Sequence, residues 1–213
     1  MDEEGSPSRK GIDEGTGISI LILIGLVVIG FFYAPRFFGG GISNGSPDPA
    51  SWHVRSINLL MFCYASDHDG KYPVGKSSTE VFQKLLDEKY CDDPEIFYFA
   101  MPGKTKPTSK ILKPDNVCWD VTIAVTDKDS DNLPMVFATG YKMIYAPGGS
   151  AIPLKPADVK IPGLYVAYKS NSSQWIKDDG LKDHIVQNVV SPAFTPVAGK
   201  TYQQLTPDGI LPP

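Results

Sequence analysis

The sequence predicts an α+β fold: an N-terminal transmembrane helix, then one globular domain with two helices packed on an antiparallel sheet. Three observations predict it. An uncharged apolar run stands near the N-terminus, two amphipathic helical patterns follow it, and the remaining segments are short, rich in β-branched and aromatic residues and closely spaced. Helices first and strands afterwards, without alternation, favour an antiparallel sheet over a parallel one. The 213 residues leave room for one ordinary core beside an anchor. A formal net charge of -4 with scattered Lys and Arg offers no basic surface for phosphates, so no nucleic-acid partner is expected.

The expected organisation is a polar tail over 1–16, a transmembrane helix over 17–38, a glycine-rich linker over 39–50 and the α+β domain over 51–213. Ile18 to Tyr33 reads ISILILIGLVVIGFFY, without a charge and almost entirely Ile, Leu, Val and Phe. Its apolar residues sum to about -5 kcal/mol for insertion near a bilayer centre. A helix over 17–34 spans about 27 Å, close to a hydrocarbon core, with Tyr33, Phe37 and Phe38 placed for the interface. A buried core helix would keep a polar stripe that this run lacks. A cleaved signal peptide is the stronger rival, since Arg9 and Lys10 precede the run, but APRFFGGG after it lacks a small-x-small cleavage pattern. Arg9 and Lys10 against Arg36 bias the N-terminus toward the cytoplasm and the domain toward export.

After GGGISNGS, Asp48-Pro49 opens a helix to about Ser66, in which Val54, Ile57, Met61 and Tyr64 recur on one face with Leu60 beside them. Asp69-Gly70 ends it. Ser77 with Glu80 forms a capping box for a second helix to about Tyr90, lined by Val81, Phe82, Leu85 and Leu86. Strands are expected over 118–126, 134–139, 142–146, 163–169 and 173–177, with Lys169 to Ser172 as a hairpin turn. The proline-rich tail beyond Ser191 is expected to be irregular.

Four patterns suggest chemistry. Gly70 to Ser77, GKYPVGKS, matches the phosphate-loop pattern, with Lys76 and Ser77 as its phosphate and magnesium contacts, but a helical pattern stands where the fold requires a strand, so a turn and helix cap is expected. Asp127, Asp129 and Asp131 alternate in a loop, a spacing that calcium accepts through oxygen; Asn132 and Ala138 replace the glycine and glutamate of an EF-hand, and a solvated hairpin loop competes. His53, His68 and His184 have no metal-hydrolase spacing, and there is no G-x-S-x-G elbow. Of the three cysteines, Cys91 and Cys118 would pair in an exported domain, and three reduced thiols are the alternative.

Tyr64, Ala65, Asp67, Asp69, Gly70, Tyr72 and Pro73, followed by Asp93, Pro94 and Phe97, fit the pattern Y-A-x-D-x-D-G-x-[FY]-P and then D-P-x-x-F. This region resembles the heads of pseudopilin-like proteins of the type II secretion and type IV pilus group, especially those of Verrucomicrobia and Planctomycetes, over about 52–180. WDVT, LPMVFATGYK and VAYKSNS are similar as well. The N-terminus departs from a prepilin: Lys10-Gly11-Ile12 is followed by DEGTG, Thr16 stands where that family has glutamate, and glycines interrupt the long helix. The resemblance implies a pilin-like head, an α-helix against an antiparallel sheet; together with the apolar run over 17–38 and the lack of a catalytic signature, the expectation is a non-enzymatic protein in contact with the bilayer through 17–38 and with other envelope or secretion proteins. The resemblance also implies a bacterial inner-membrane location and lends weight to calcium; a homo-oligomer is a further partner class. A tethered module capturing an extracytoplasmic glycan or peptide is the alternative. An anchored hydrolase or nucleotide-binding enzyme is the least expected.

Overall fold

The computed structural model describes residues 49–155, 163–177 and 184–211. The expected tail over 1–16, the transmembrane helix over 17–38 and the linker as far as 48 lie outside the described residues. Among the described residues no helix is long and apolar enough to cross a membrane. They belong to one compact unit, in which Ala50, next to the expected domain start at 51, is buried in the core.

The first helix, α1 (Pro49–Asp67), forms where its period-3.6 pattern predicts, and Val54, Ile57, Met61 and Tyr64 are all buried. It stops because Asp69 and Gly70 take left-handed φ values of 54 and 76 degrees, returning the Gly70 N–H to the Ala65 carbonyl at 2.8 Å. The second helix, α2 (Ser78–Asp87), starts at Ser77, whose hydroxyl accepts from the Glu80 N–H at 3.2 Å. It ends before the expected Tyr90: Lys89 adopts φ of 64 degrees and the Tyr90 N–H turns back to the Leu85 carbonyl. Val81, Phe82, Leu85 and Leu86 bury its inner face. A short 3-10 turn at Pro94–Phe97, capped by Asp93, carries Phe97 onto Phe82 with ring centres 4.7 Å apart.

The described residues then form eight strands: β1 (Trp119–Ile123), β2 (Pro134–Ala138), β3 (Tyr141–Met143), β4 (Ala151–Pro153), β5 (Gly163–Tyr168), β6 (Ser173–Lys177), β7 (Gln203–Thr206) and β8 (Gly209–Ile210). Six form an antiparallel sheet in the order β6-β5-β2-β1-β7-β8, and β3-β4 pair separately. β1 stops at Ile123, short of the expected 126, because Ala124 is left-handed at φ of 65 degrees. Every residue of β2 and β5 is buried, which requires cover on both faces. α1 packs on β2, β5 and β6. α2 packs on β1 and β7.

The tail is therefore not irregular throughout, as the prolines suggested. β7 pairs with β1 through Val121–Leu205, Thr122–Gln204 and Ile123–Gln203, and Pro207-Asp208 forms the turn into β8. Gln204 makes this docking specific. Its amide donates to the Asp120 carboxyl and to the Tyr141 carbonyl, each at 2.6 Å, and its oxygen accepts from the Met143 N–H at 2.9 Å. One side chain on β7 thus ties β3, which belongs to the separate β3-β4 pair, to the six-stranded sheet.

Asp120 is wholly buried, and its second carboxyl oxygen has no hydrogen-bond partner among the described residues. Burial pushes its pKa up to about 7, against the opposing pull of Thr139 and Gln204. Because the folded value lies above the unfolded one of about 3.9, its contribution to stability is full below pH 4 and is lost as pH rises toward 7.

Two substitutions test this network by chemical denaturation. Gln204→Ala removes three hydrogen bonds to buried groups and should cost about 2–4 kcal/mol. Asp120→Asn should flatten the decline of stability between pH 4 and 7 and raise stability at pH 8 by about 2 kcal/mol.

Candidate functional site

The helical period places Trp52, Arg55, Leu59 and Phe62 on the side of α1 opposite its buried residues. Trp52, Leu59 and Phe62 are 56%, 41% and 51% exposed, although such side chains normally seek cover. α1 is thus apolar on two sides, one against the sheet and one facing water. α2 differs, because its solvent side carries Glu80, Lys84 and Asp87. Arg55, exposed within the outer face of α1, makes no ion pair among the described residues.

Beside the C-terminal half of this face lies an open groove of about 440 Å³, with Leu59 and Phe62 on one wall, Tyr72 at its end and Asp127, Asp131 and Lys169 on the other wall. The polar wall is assembled from two loops that the Lys169 side chain ties together. Its ammonium donates to the Asp127 carbonyl at 3.1 Å and pairs with Asp131 at 3.2 Å. Asn58, the buried polar residue on the inner face of α1, donates to the Tyr168 carbonyl at 2.9 Å and to the Asn171 side chain at 3.2 Å. The β5–β6 turn, with Asn171 at φ of 60 degrees, is thereby set against the helix. Burial first, and then the carboxylates of Asp131 and Asp129, push the Tyr72 hydroxyl above its ordinary pKa, so it stays a neutral donor.

The three expected calcium ligands have different fates. Asp129 is buried and turned inward, where Lys200, the Tyr202 hydroxyl at 2.7 Å and the Thr126 N–H and hydroxyl all bind its carboxylate. Asp127 and Asp131 stay exposed at the groove. Among the described residues no three acidic, histidine or cysteine side chains form a group able to hold a metal ion. Alternation explains the split: adjacent odd positions would share a face in a strand, but this loop turns back at Asp129, whose N–H reaches the Thr126 carbonyl. Burial alone would raise the Asp129 carboxyl, yet the bonds from Lys200, Tyr202 and Thr126 outweigh it and hold the pKa below its usual value.

The remaining motifs resolve into structural roles. Gly70 to Ser77 follows a helix instead of a strand, and the Glu80 carboxylate accepts the Lys76 N–H at 2.8 Å, so this backbone donor already serves the helix cap. His53 contacts the Tyr98 carbonyl, and His68 stacks on Tyr64 while facing Glu88 at 3.3 Å. Cys63, Cys91 and Cys118 are unbridged, so the Cys91–Cys118 pairing is not made; the Cys118 thiol donates to the Phe99 carbonyl. Sequence reading missed Trp52, Arg55, Leu59 and Phe62 as a surface, although their spacing was visible beside that of the inner face.

No family model, curated protein or solved structure matches this chain.

Two measurements check the loop. Asp129→Asn should cost about 1–3 kcal/mol at pH 7. A carboxyl with a depressed folded pKa stabilises above its unfolded value of about 3.9 and loses that contribution as pH falls through the folded one, so the gap between variant and parent should close as pH falls below about 4. Millimolar calcium should leave the melting temperature of the domain unchanged, whereas a rise of several degrees that disappears in Asp127→Asn would restore the calcium site.

Proposed function

We propose that the chain is a membrane-anchored, non-enzymatic envelope protein whose pseudopilin-like domain works by protein–protein contact in a secretion or pilus-related assembly. The reading places residues 17–38 in a bacterial inner membrane and the domain on the exported side. What carries it is the second apolar face of α1. Trp52, Leu59 and Phe62 lie outside the buried core with about half of each side chain in water, and exposed aromatic and aliphatic side chains on one helix face are the usual material of a contact surface. The run Tyr64 to Pro73 and the packing of α1 on an antiparallel sheet support the pseudopilin-like part. No catalytic residue is assigned.

The alternative, capture of an extracytoplasmic peptide, draws on the groove, where an apolar wall stands opposite paired charges. A photo-crosslinking amino acid at position 62 separates the readings in the producing cells. The expected result is a discrete adduct with an envelope or secretion protein, lost when Trp52→Glu is added. An adduct with short peptides alone would favour the alternative, and no adduct at all would defeat both.

A further inference from the structure

We infer that the outer face of α1 pairs with the same face of a second copy, antiparallel about a twofold axis through Leu59, each copy's Trp52 entering the other's groove. The inference rests on the contact reading above and names its partner. A twofold axis requires a self-complementary surface, in which each feature meets its counterpart at the mirrored distance from the axis. α1 meets that requirement. Trp52 lies seven residues before Leu59, about 10 Å along the helix, and Ser66 lies seven residues after it. Ser66 and Phe62 line the groove, so antiparallel apposition brings one copy's indole to the other's cavity. The groove's 440 Å³ is within the range that holds a ligand much larger than an indole.

Charge supports the same arrangement. Arg55, without an ion pair among the described residues, lies four positions before Leu59, and the axis carries it toward residues 62 and 63 of the second copy, beside a groove rimmed by Asp127 and Asp131. Asp131 already has Lys169, whereas the exposed Asp127 side chain forms no ion pair among the described residues, leaving one acid on each copy for one arginine from the other. Leu59, only part-exposed, packs on its own counterpart at the axis. Ser56, one turn away on the helix, is a small side chain that lets the helices approach to about 8–10 Å. A single helix face per copy is a small interface, so the dimer should be concentration-dependent.

Sedimentation equilibrium of the detergent-solubilised full chain tests this, with circular dichroism confirming the fold of each variant. The expected parent behaviour is a monomer–dimer equilibrium. Arg55→Glu should weaken dimerisation about tenfold or more, since two copies of the repulsion arise per dimer, and Trp52→Ala should weaken it at least as much. Combining Arg55→Glu with Asp127→Lys should restore the parent constant to within about threefold, by the logic of a reversed charge pair. A monomer at every concentration, a dimer indifferent to Arg55→Glu, or a double variant with no recovery overturns the inference. If such a monomer still crosslinks to a different envelope protein through position 62, the contact reading survives without the dimer.

Discussion

A buried amide on α1 can have only one rotational setting, and the domain's outer surface follows from it. Asn58 sits among Val54, Ile57 and Met61, where its amide would be costly without partners. The Tyr168 carbonyl and the Asn171 side chain satisfy it, and both lie at the β5–β6 turn. Rotating α1 by one residue would strand that amide in an apolar layer. With the helix so held, Trp52, Arg55, Leu59 and Phe62 must face away from the sheet, and Leu59 and Phe62 must overlook the groove.

The opposite wall of the groove is positioned from the far end of the chain. Asp129 is held by Lys200 and Tyr202, while its neighbours Asp127 and Asp131 are drawn to Lys169. β7 in turn is locked by Gln204 across β1 and β3. A loop whose composition suggested either a calcium site or a solvated hairpin is therefore a structural corner with an inward-facing anchor and two outward acids. The one inward carboxylate is also the one that the tail neutralises, which is why burial does not raise its pKa.

Much of the fold was legible because it depends on local rules. The α1 and α2 faces follow a 3.6-residue period, the Ser77 cap and the Asp69-Gly70 stop follow from backbone hydrogen-bond demand, and β2, β5 and β6 are short segments rich in β-branched and aromatic residues. β7 was not legible in that way. Its glutamines have little strand preference and prolines surround it, and its hydrogen bonding is supplied by β1, more than eighty residues earlier in the chain. The Pro207-Asp208 turn did carry a usable hairpin signal. β4 is too short, with three residues, for periodicity to register.

The sequence by itself determined the two helices, their inner faces and stops, the β5–β6 hairpin and the α+β class, since each is written in contacts a few residues long. It also held the second apolar stripe on α1, spaced like the first. Only the tertiary structure decided which stripe would be covered, which of three alternating aspartates would turn inward, and where the tail would dock. Those outcomes depend on pairing buried polar groups, Asn58, Asp120, Asp129 and Gln204, with partners far away in the chain, and no local pattern encodes a distant partner.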